Sequence, residues 1–447
     1  MEAQMLLDVP GSVARRHPES SRLPAQPKTL RETGLEQRLV VDLVTKSISQ
    51  HGKTHLSGLS AQLRLPASVL REVLESMQAD RLVENAWRGD TDLDVQYQLT
   101  MSGRQHAADC MAVNRYVGPA PVTLQAYADV LARQSARKHA ADRISAADME
   151  AAFADDCLPA DVRNTIGAAM HAGRSLLLHG APGSGKTTLA RKLGRLQPGI
   201  IAVPYALVVE QQIVQLFDPA VHIAPSPVQL RQQAERRSID SRWTMCQRPV
   251  VMVGAQLEEA ALEMRLDHAS GILHAPVQVQ ANGGMLVVDD LGRQRGGGSD
   301  ILNRLACALE AGFDRVALHG SHKLSIPFDA MMLFATNIDL RTLLDDAQMR
   351  RIDYKAHVGA LPVAAYRQLF RQQCRAFGMA CDDALLDHLV GKLHAAWNKP
   401  LLASYPRELL VRITEFSSYA GLAPRLCIAA LEQAWTSIFA APILAEG

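Results

Sequence analysis

The sequence predicts an α/β fold, a parallel sheet wrapped by helices, with a small α+β module in front and a helical region behind. Three observations predict it. From about residue 144, short apolar runs alternate with helical patterns: Ser175–His179, Ile200–Val203, Pro249–Val253, Met285–Val288 and Met331–Ala335. Strands alternating with helices build a parallel sheet covered on both faces, so their strands read as continuous apolar runs. Beyond about residue 363 the strand-like runs stop and only helical periodicity remains. Before residue 116 the pattern is that of a separate, smaller unit.

In that unit Leu35, Leu39, Val40, Leu43, Val44 and Ile48 recur at helical spacing, and a break at Gly52 precedes helical patterns over 57–64 and 67–79, separated by Pro66. Leu82 and Val83, an acidic turn from Gly89 to Asp94, and the alternating Val95, Tyr97 and Leu99 predict a hairpin, with a helix from Ser102. Three helices and a two-stranded wing make a winged-helix-like pattern. The segment Tyr116-Val-Gly-Pro-Ala-Pro-Val122 carries two prolines that suit neither a central strand nor a helix interior, so it reads as the exit into a linker. A helical stretch over 124–139 follows. The expected divisions are a disordered leader (1–28), the winged-helix-like module (29–115), a linker (116–143), the α/β domain (144–362) and a helical lid (363–447).

Composition excludes several classes. The 447 residues are 48% hydrophobic, enough for more than one core, and ~150 residues per domain suggests two or three domains. Forty-seven basic against 46 acidic residues leave a net charge of +1, so no global field draws the chain to nucleic acid or an anionic surface. The longest apolar stretches, such as Ile200–Val209, are far shorter than the ~20 residues of a membrane span. Residues 1–28 lack the apolar core of a secretory signal, and the expected compartment is the cytoplasm. The seven cysteines are scattered without a C-x-x-C pair and read as reduced core residues.

The chemistry concentrates in Gly180-Ala181-Pro182-Gly183-Ser184-Gly185-Lys186-Thr187, which matches G-x-x-x-x-G-K-[ST] between the apolar run Ser175–Leu178 and the helical stretch Thr188–Leu196. At ~7% glycine such a pattern arises by chance in roughly one chain in a hundred of this length; strand and helix on either side make chance rarer still. The glycines let backbone N–H groups curl around phosphate oxygens, and the helix start adds partial positive charge. Lys186 is placed to reach the β and γ phosphates of ATP and Thr187 to ligate Mg2+, with Thr188 closing the loop. About a hundred residues on, the apolar strand Met285–Val288 ends in Asp289-Asp290. Strand ends of a parallel sheet face the ligand crevice, so Asp289 is expected in the magnesium shell and Asp290 beside the attacking water.

The ordered motifs resemble those of AAA+ ATPases. Gly283-Gly284-Met-Leu-Val-Val-Asp289-Asp290 is similar to their second Walker motif and Leu333-Phe-Ala-Thr-Asn337 to their sensor-one strand. The segment Leu344-Asp-Asp-Ala-Gln-Met-Arg350-Arg351 resembles the region that carries an arginine finger, and Tyr405-Pro-Arg407 the sensor-two arginine at a lid-helix start. Singly each has a plain alternative: Asn337 suits a strand-end turn, Arg350 and Arg351 a solvated helix face, and Arg407 follows a helix-starting proline. The resemblance covers roughly residues 144–447 and implies ATP hydrolysis assisted by Asp290, Asn337, Arg350, Arg351 and Arg407. It departs from the pattern at Asp290, where the usual acid is glutamate. Arg248-Pro-Val-Val-Met-Val-Gly254 and Asp289-Asp-Leu-Gly-Arg-Gln294 further resemble a bacterial group described as predicted ATPases with chaperone activity, sometimes linked to Flp-type pilus assembly.

An arginine finger acts on a neighbour's nucleotide, so the resemblance implies a homo-oligomer, expected as a hexameric ring that remodels a protein client. The alternative is a nucleotide-gated DNA-binding regulator. The candidate recognition helix Ala67–Ala79 carries Arg71 against Glu72 and Glu75, and the wing carries Asp90, Asp92 and Asp94. DNA binding needs a basic stripe, so protein docking is the favoured reading of the front module.

Overall fold

The computed structural model describes residues 24–88, 95–138, 143–154, 156–227, 229, 239–319 and 322–439. The acidic turn 89–94 and most of the expected leader lie outside the described residues. In the front module, helices Gln37–His51, Leu56–Leu63, Ala67–Ala79 and Met101–Val113 enclose a three-stranded antiparallel sheet in which Val95–Leu99 lies between Thr54–His55 and Val83–Arg88. The helical apolar stripe read from the sequence is the core: Val40, Leu43, Val44 and Ile48 are fully buried with Leu59, Leu70 and Val73.

This module is not a bead on a string. Its core takes in Ala206 and Ile213 from a second sheet, with strands ordered Arg265–Asp267, Ile272–His274, Gln212–Gln215, Ala206–Val209 and Val122–Thr123. Residues 116–138, read from the sequence as linker, supply one of those strands and the helix Leu124–Arg133, whose Tyr127, Val130 and Leu131 are buried in the adjoining core. The prolines that argued against a strand sit before it, at 119 and 121, and the two-residue strand they leave is on the sheet edge, where proline is tolerated. Buried Arg242 clamps the junction: it pairs with buried Asp240 at 2.8 Å and donates from Nη1 to the carbonyls of Thr33 (3.1 Å) and Pro121 (3.0 Å).

The principal sheet has five parallel strands in the order Val250–Val253, Met285–Val288, Met331–Thr336, Leu176–His179, Tyr354–His357. Successive residues serve opposite faces: Leu176, Leu178, Met285 and Val287 enter one core, and Leu177, Leu286, Val288 and Phe334 the other. This two-sided burial is why the strands read as unbroken apolar runs. Two differences from the sequence reading follow from that signal's limits. Ile200–Pro204 is not in this sheet but pairs antiparallel with Trp243–Gln247, because an apolar run alone does not specify its partner. The fifth strand, Tyr354–His357, went unread because an edge strand alternates polar and apolar residues.

Beyond it helices Val363–Ala376, Asp383–His388, Tyr405–Tyr419 and Ile428–Phe439 enclose a separate core around Tyr366, Phe370, Leu409 and Trp435. The described residues thus form the expected α/β arrangement: a parallel sheet flanked by helices, a helical region after it in the chain, and a small α+β module before it. Of the seven cysteines, expected in the core, only Cys246 and Cys374 are buried, and Cys427 is exposed.

Candidate functional site

The loop 180–185 joins the central strand Leu176–His179 to the helix Lys186–Arg195. Its conformation needs glycine: Gly180, Gly183 and Gly185 have φ of +146°, +80° and +97°. A Cβ on Gly180 would stand 2.2 Å from the Val358 carbonyl oxygen, and one on Gly183 2.6 Å from Ser404 Oγ. The helix start has no side-chain cap, so its first N–H groups remain available to an anion. Lys186 is buried at the loop's centre, where Nζ donates to the carbonyls of Gly180 (2.9 Å) and Ala181 (2.8 Å) and to Ser184 Oγ (3.3 Å). Burial lowers the lysine pKa, and the carboxylates of Asp289 and Asp290 oppose that shift.

Asp289 and Asp290 follow strand Met285–Val288 on the same side of the sheet. Thr187 Oγ1 donates to Asp289 Oδ2 at 2.7 Å, and the Asp290 N–H donates to Asp289 Oδ1 at 3.0 Å. A hydroxyl and a carboxylate side by side are the hard oxygen donors that magnesium takes, so the residues present fit that ion. Asp290 itself has φ +52°, a left-handed backbone that Asn and Asp tolerate better than other L-residues.

Asn337, just past the strand Met331–Thr336, accepts from Arg293 Nε and Nη2, both at 3.4 Å. The parallel register, with Val288 beside Phe334 and Thr336 beside His179, brings the acid pair, Asn337 and the loop to one edge. The start of helix Tyr405–Tyr419 is there too, since the Ser404 N–H donates to the Gly183 carbonyl at 3.0 Å. Arg407, in that helix's first turn, is exposed.

Arg350 and Arg351 end the helix Asp346–Arg351 and differ in surroundings. Arg351 bonds Glu310 (2.8 Å) and Asn303 (3.0 Å), whereas Arg350 is exposed and has no hydrogen-bond or ion-pair partner among the described residues. Neither bonds the loop 180–188 of its own chain among the described residues.

Sequence reasoning assigned no role to four residues beside the site. Arg293 lies just past the acid pair, and its guanidinium stands beside Asn337. Gln294 is buried and donates to the carbonyls of Asp289 (3.2 Å) and Gly254 (3.3 Å), bracing the acid loop. His179 and His357, at the ends of adjacent strands, bring their ring centroids within 5.0 Å beside the loop, and burial followed by the neighbouring imidazole lowers the pKa of His179. Only register could have paired them.

The profile of a domain of unknown function (DUF8689) matches residues 362–437, which is most of the C-terminal helical region. A search of curated proteins returns no significant match. Among solved structures, the chain is similar to NtrX from Brucella abortus in complex with ATP, at 15% identity and a TM-score of 0.39 over 63% of this chain and 56% of NtrX. It is also similar to a point mutant of RuvB from Thermotoga maritima, at 12% identity and a TM-score of 0.36 over 62% of this chain and 69% of RuvB. The chain thus spans little more than half the length of NtrX.

Proposed function

We propose that the protein binds magnesium ATP in the loop Gly180–Thr188 and hydrolyses it to drive the remodelling of a protein partner. One observation carries the reading: an uncapped helix start, a glycine-shaped loop with Lys186 at its centre, and the Thr187–Asp289 pair all stand at one edge of the sheet. Phosphate oxygens would take over the Lys186 donors now held by loop carbonyls. Magnesium, held by Thr187 and Asp289, supplies charge neutralisation on the transferring phosphoryl group. Asp290 orients a water and accepts its proton as the water oxygen bonds to the γ-phosphorus and the bond to the β–γ bridging oxygen breaks. Asn337 and Arg293 border that water's position. Arg350 acts on the nucleotide of a neighbouring copy, which requires subunits packed head to tail in a closed ring, and Arg407 senses the phosphates from the lid.

The front module is read as a protein-docking unit. Its candidate recognition helix Ala67–Ala79 is engaged by its own chain: Glu72 accepts the Leu30 N–H (3.2 Å), Ser68 donates to the Lys28 carbonyl (2.8 Å) and Gln37 donates to Ser76 (2.7 Å). A helix so covered, with two glutamates against one arginine, is poorly suited to a phosphate-lined groove. No described helix is long and apolar enough to cross a membrane.

Calorimetry with ATP and magnesium, followed by phosphate release, tests the reading. Saturable binding is expected, weakened by roughly a hundredfold or more in Lys186→Ala. Absence of binding by the unaltered chain would overturn it.

A further inference from the structure

In the front module, far from the phosphate loop in sequence, three side chains of different chemistry converge. His106 and Cys110 are four residues apart in helix Met101–Val113 and so share a face. Asp42 comes from helix Gln37–His51, which packs against it. His106 Nε2 is 2.8 Å from Asp42 Oδ1 and 3.6 Å from Cys110 Sγ, and the three donor atoms all lie within 4.8 Å of one another. All three residues are half-buried, so solvent can reach the cluster.

We propose that Asp42, His106 and Cys110 bind a borderline divalent cation of the zinc class, with solvent supplying a fourth ligand. Zinc takes imidazole nitrogen and carboxylate oxygen at about 2.0–2.2 Å and thiolate sulfur at about 2.3 Å in tetrahedral geometry. Those bonds set ligand-to-ligand edges of roughly 3.5 Å. The nitrogen-to-sulfur separation already matches, and the nitrogen-to-oxygen one must open by about half an ångström, a small rotation for a half-buried aspartate. A mixed oxygen, nitrogen and sulfur set excludes magnesium and calcium, which take oxygen ligands alone, and suits zinc or its congeners.

The neighbouring charges are mixed. Lys46, one turn along from Asp42, is buried, donates to the Asn114 carbonyl at 3.2 Å and opposes a cation, while Asp109 and Asp42 favour one. The metal-free alternative is a His106–Asp42 hydrogen bond with the Cys110 thiol beside it. The consequence is structural. The cation would pin helix Gln37–His51 to helix Met101–Val113, whose end leads into Asn114 and Arg115; these fasten the module to the turn between strands Arg265–Asp267 and Ile272–His274 through Gly271 (3.0 Å) and Ser270 (2.8 Å).

The test uses the full, tag-free chain, stripped by chelator and titrated with cobalt without nucleotide. Expected are a thiolate-to-cobalt charge-transfer band and the intense visible bands of a four-coordinate ion, saturating at one equivalent and bleached by zinc. Cys110→Ser should lose the charge-transfer band, His106→Ala and Asp42→Asn should weaken binding by at least about tenfold, and Cys427→Ser should change nothing. A zinc-dependent rise in melting temperature, absent in a Cys110→Ser chain whose circular dichroism is unaltered, gives a second readout. Cobalt bands without charge transfer in the unaltered chain, or an equal charge-transfer band in Cys110→Ser, would overturn the assignment.

Discussion

Thr187 and Asp289, 102 residues apart in the chain, meet through a 2.7 Å hydrogen bond from hydroxyl to carboxylate. Two hard oxygen donors so placed are half of a magnesium shell. Thr187→Ser keeps the hydroxyl and should keep magnesium-dependent ATP binding. Thr187→Ala and Asp289→Asn should make whatever binding remains indifferent to magnesium. Calorimetry with magnesium and with chelator separates these outcomes.

Lys186 gives the larger effect on affinity. Two charge-assisted hydrogen bonds to phosphate contribute about 1.5–3 kcal/mol each, so Lys186→Ala should weaken ATP binding by roughly a hundredfold or more. Its three present partners are two carbonyls and a hydroxyl of the same loop, so the fold should survive. A fluorescent nucleotide analogue reads the affinity, and an unchanged dissociation constant would contradict the site.

Asp290 stands where glutamate is usual in the proteins its motif resembles, and its backbone offers a reason. At φ +52° the residue is left-handed, a conformation that favours Asp or Asn. Asp290→Asn should therefore fold and bind ATP normally while turnover falls about a hundredfold or more, the usual worth of a general base. Asp290→Glu should recover less than its chemistry suggests, because the longer residue strains the turn. Steady-state phosphate release on the three proteins decides it.

Elements that announce themselves locally were legible in the sequence: the glycine loop with its lysine, the apolar strand ending in Asp289-Asp290, and the helical stripe from Leu35 to Ile48. What depends on which strand lies beside which was not. Ile200–Pro204 and Leu176–His179 have the same apolar character, and only register sends one to an antiparallel ribbon and the other to the parallel sheet. Val122, Tyr127 and Leu131 looked like linker because their partners, Leu207 and Val214, lie some eighty residues on. The Asp42, His106 and Cys110 cluster escaped for the same reason, since no short spacing joins residues on two helices.

Arg350 and Arg351, adjacent in sequence, should separate in function. Arg351 is held by Glu310 and Asn303 within its own chain, whereas Arg350 is exposed. Arg350→Ala should leave ATP affinity and melting temperature intact and cut hydrolysis, by up to about a thousandfold if it serves as a finger. Arg351→Ala should cost about 0–1 kcal/mol of stability, as exposed pairs do. Mixing Arg350→Ala with Lys186→Ala chains should restore some activity, because one intact interface then forms. A monomer with full activity would remove the finger role.

The front module invites truncation, and the structure argues against a benign result. Ala206 and Ile213 of the second sheet are buried in the module's core, and Arg242 bridges Asp240, the Thr33 carbonyl and the Pro121 carbonyl at their junction. Removing residues 1–115 uncovers that apolar surface and leaves Arg242 with one fewer acceptor. A fragment of residues 140–447, which also lacks the strand Val122–Thr123 and the helix Leu124–Arg133, should aggregate or melt well below the full chain. Arg242→Ala isolates the clamp. It strands Asp240, 4% exposed, as an uncompensated buried charge, a change that costs about 3–5 kcal/mol. Asp240→Asn with Arg242→Met removes both charges and should recover much of that loss, because an apolar replacement avoids desolvating an ion pair. Thermal denaturation of the two variants measures the difference. Equal melting temperatures for Arg242→Ala and the unaltered chain would show that the module is held by its apolar contacts alone.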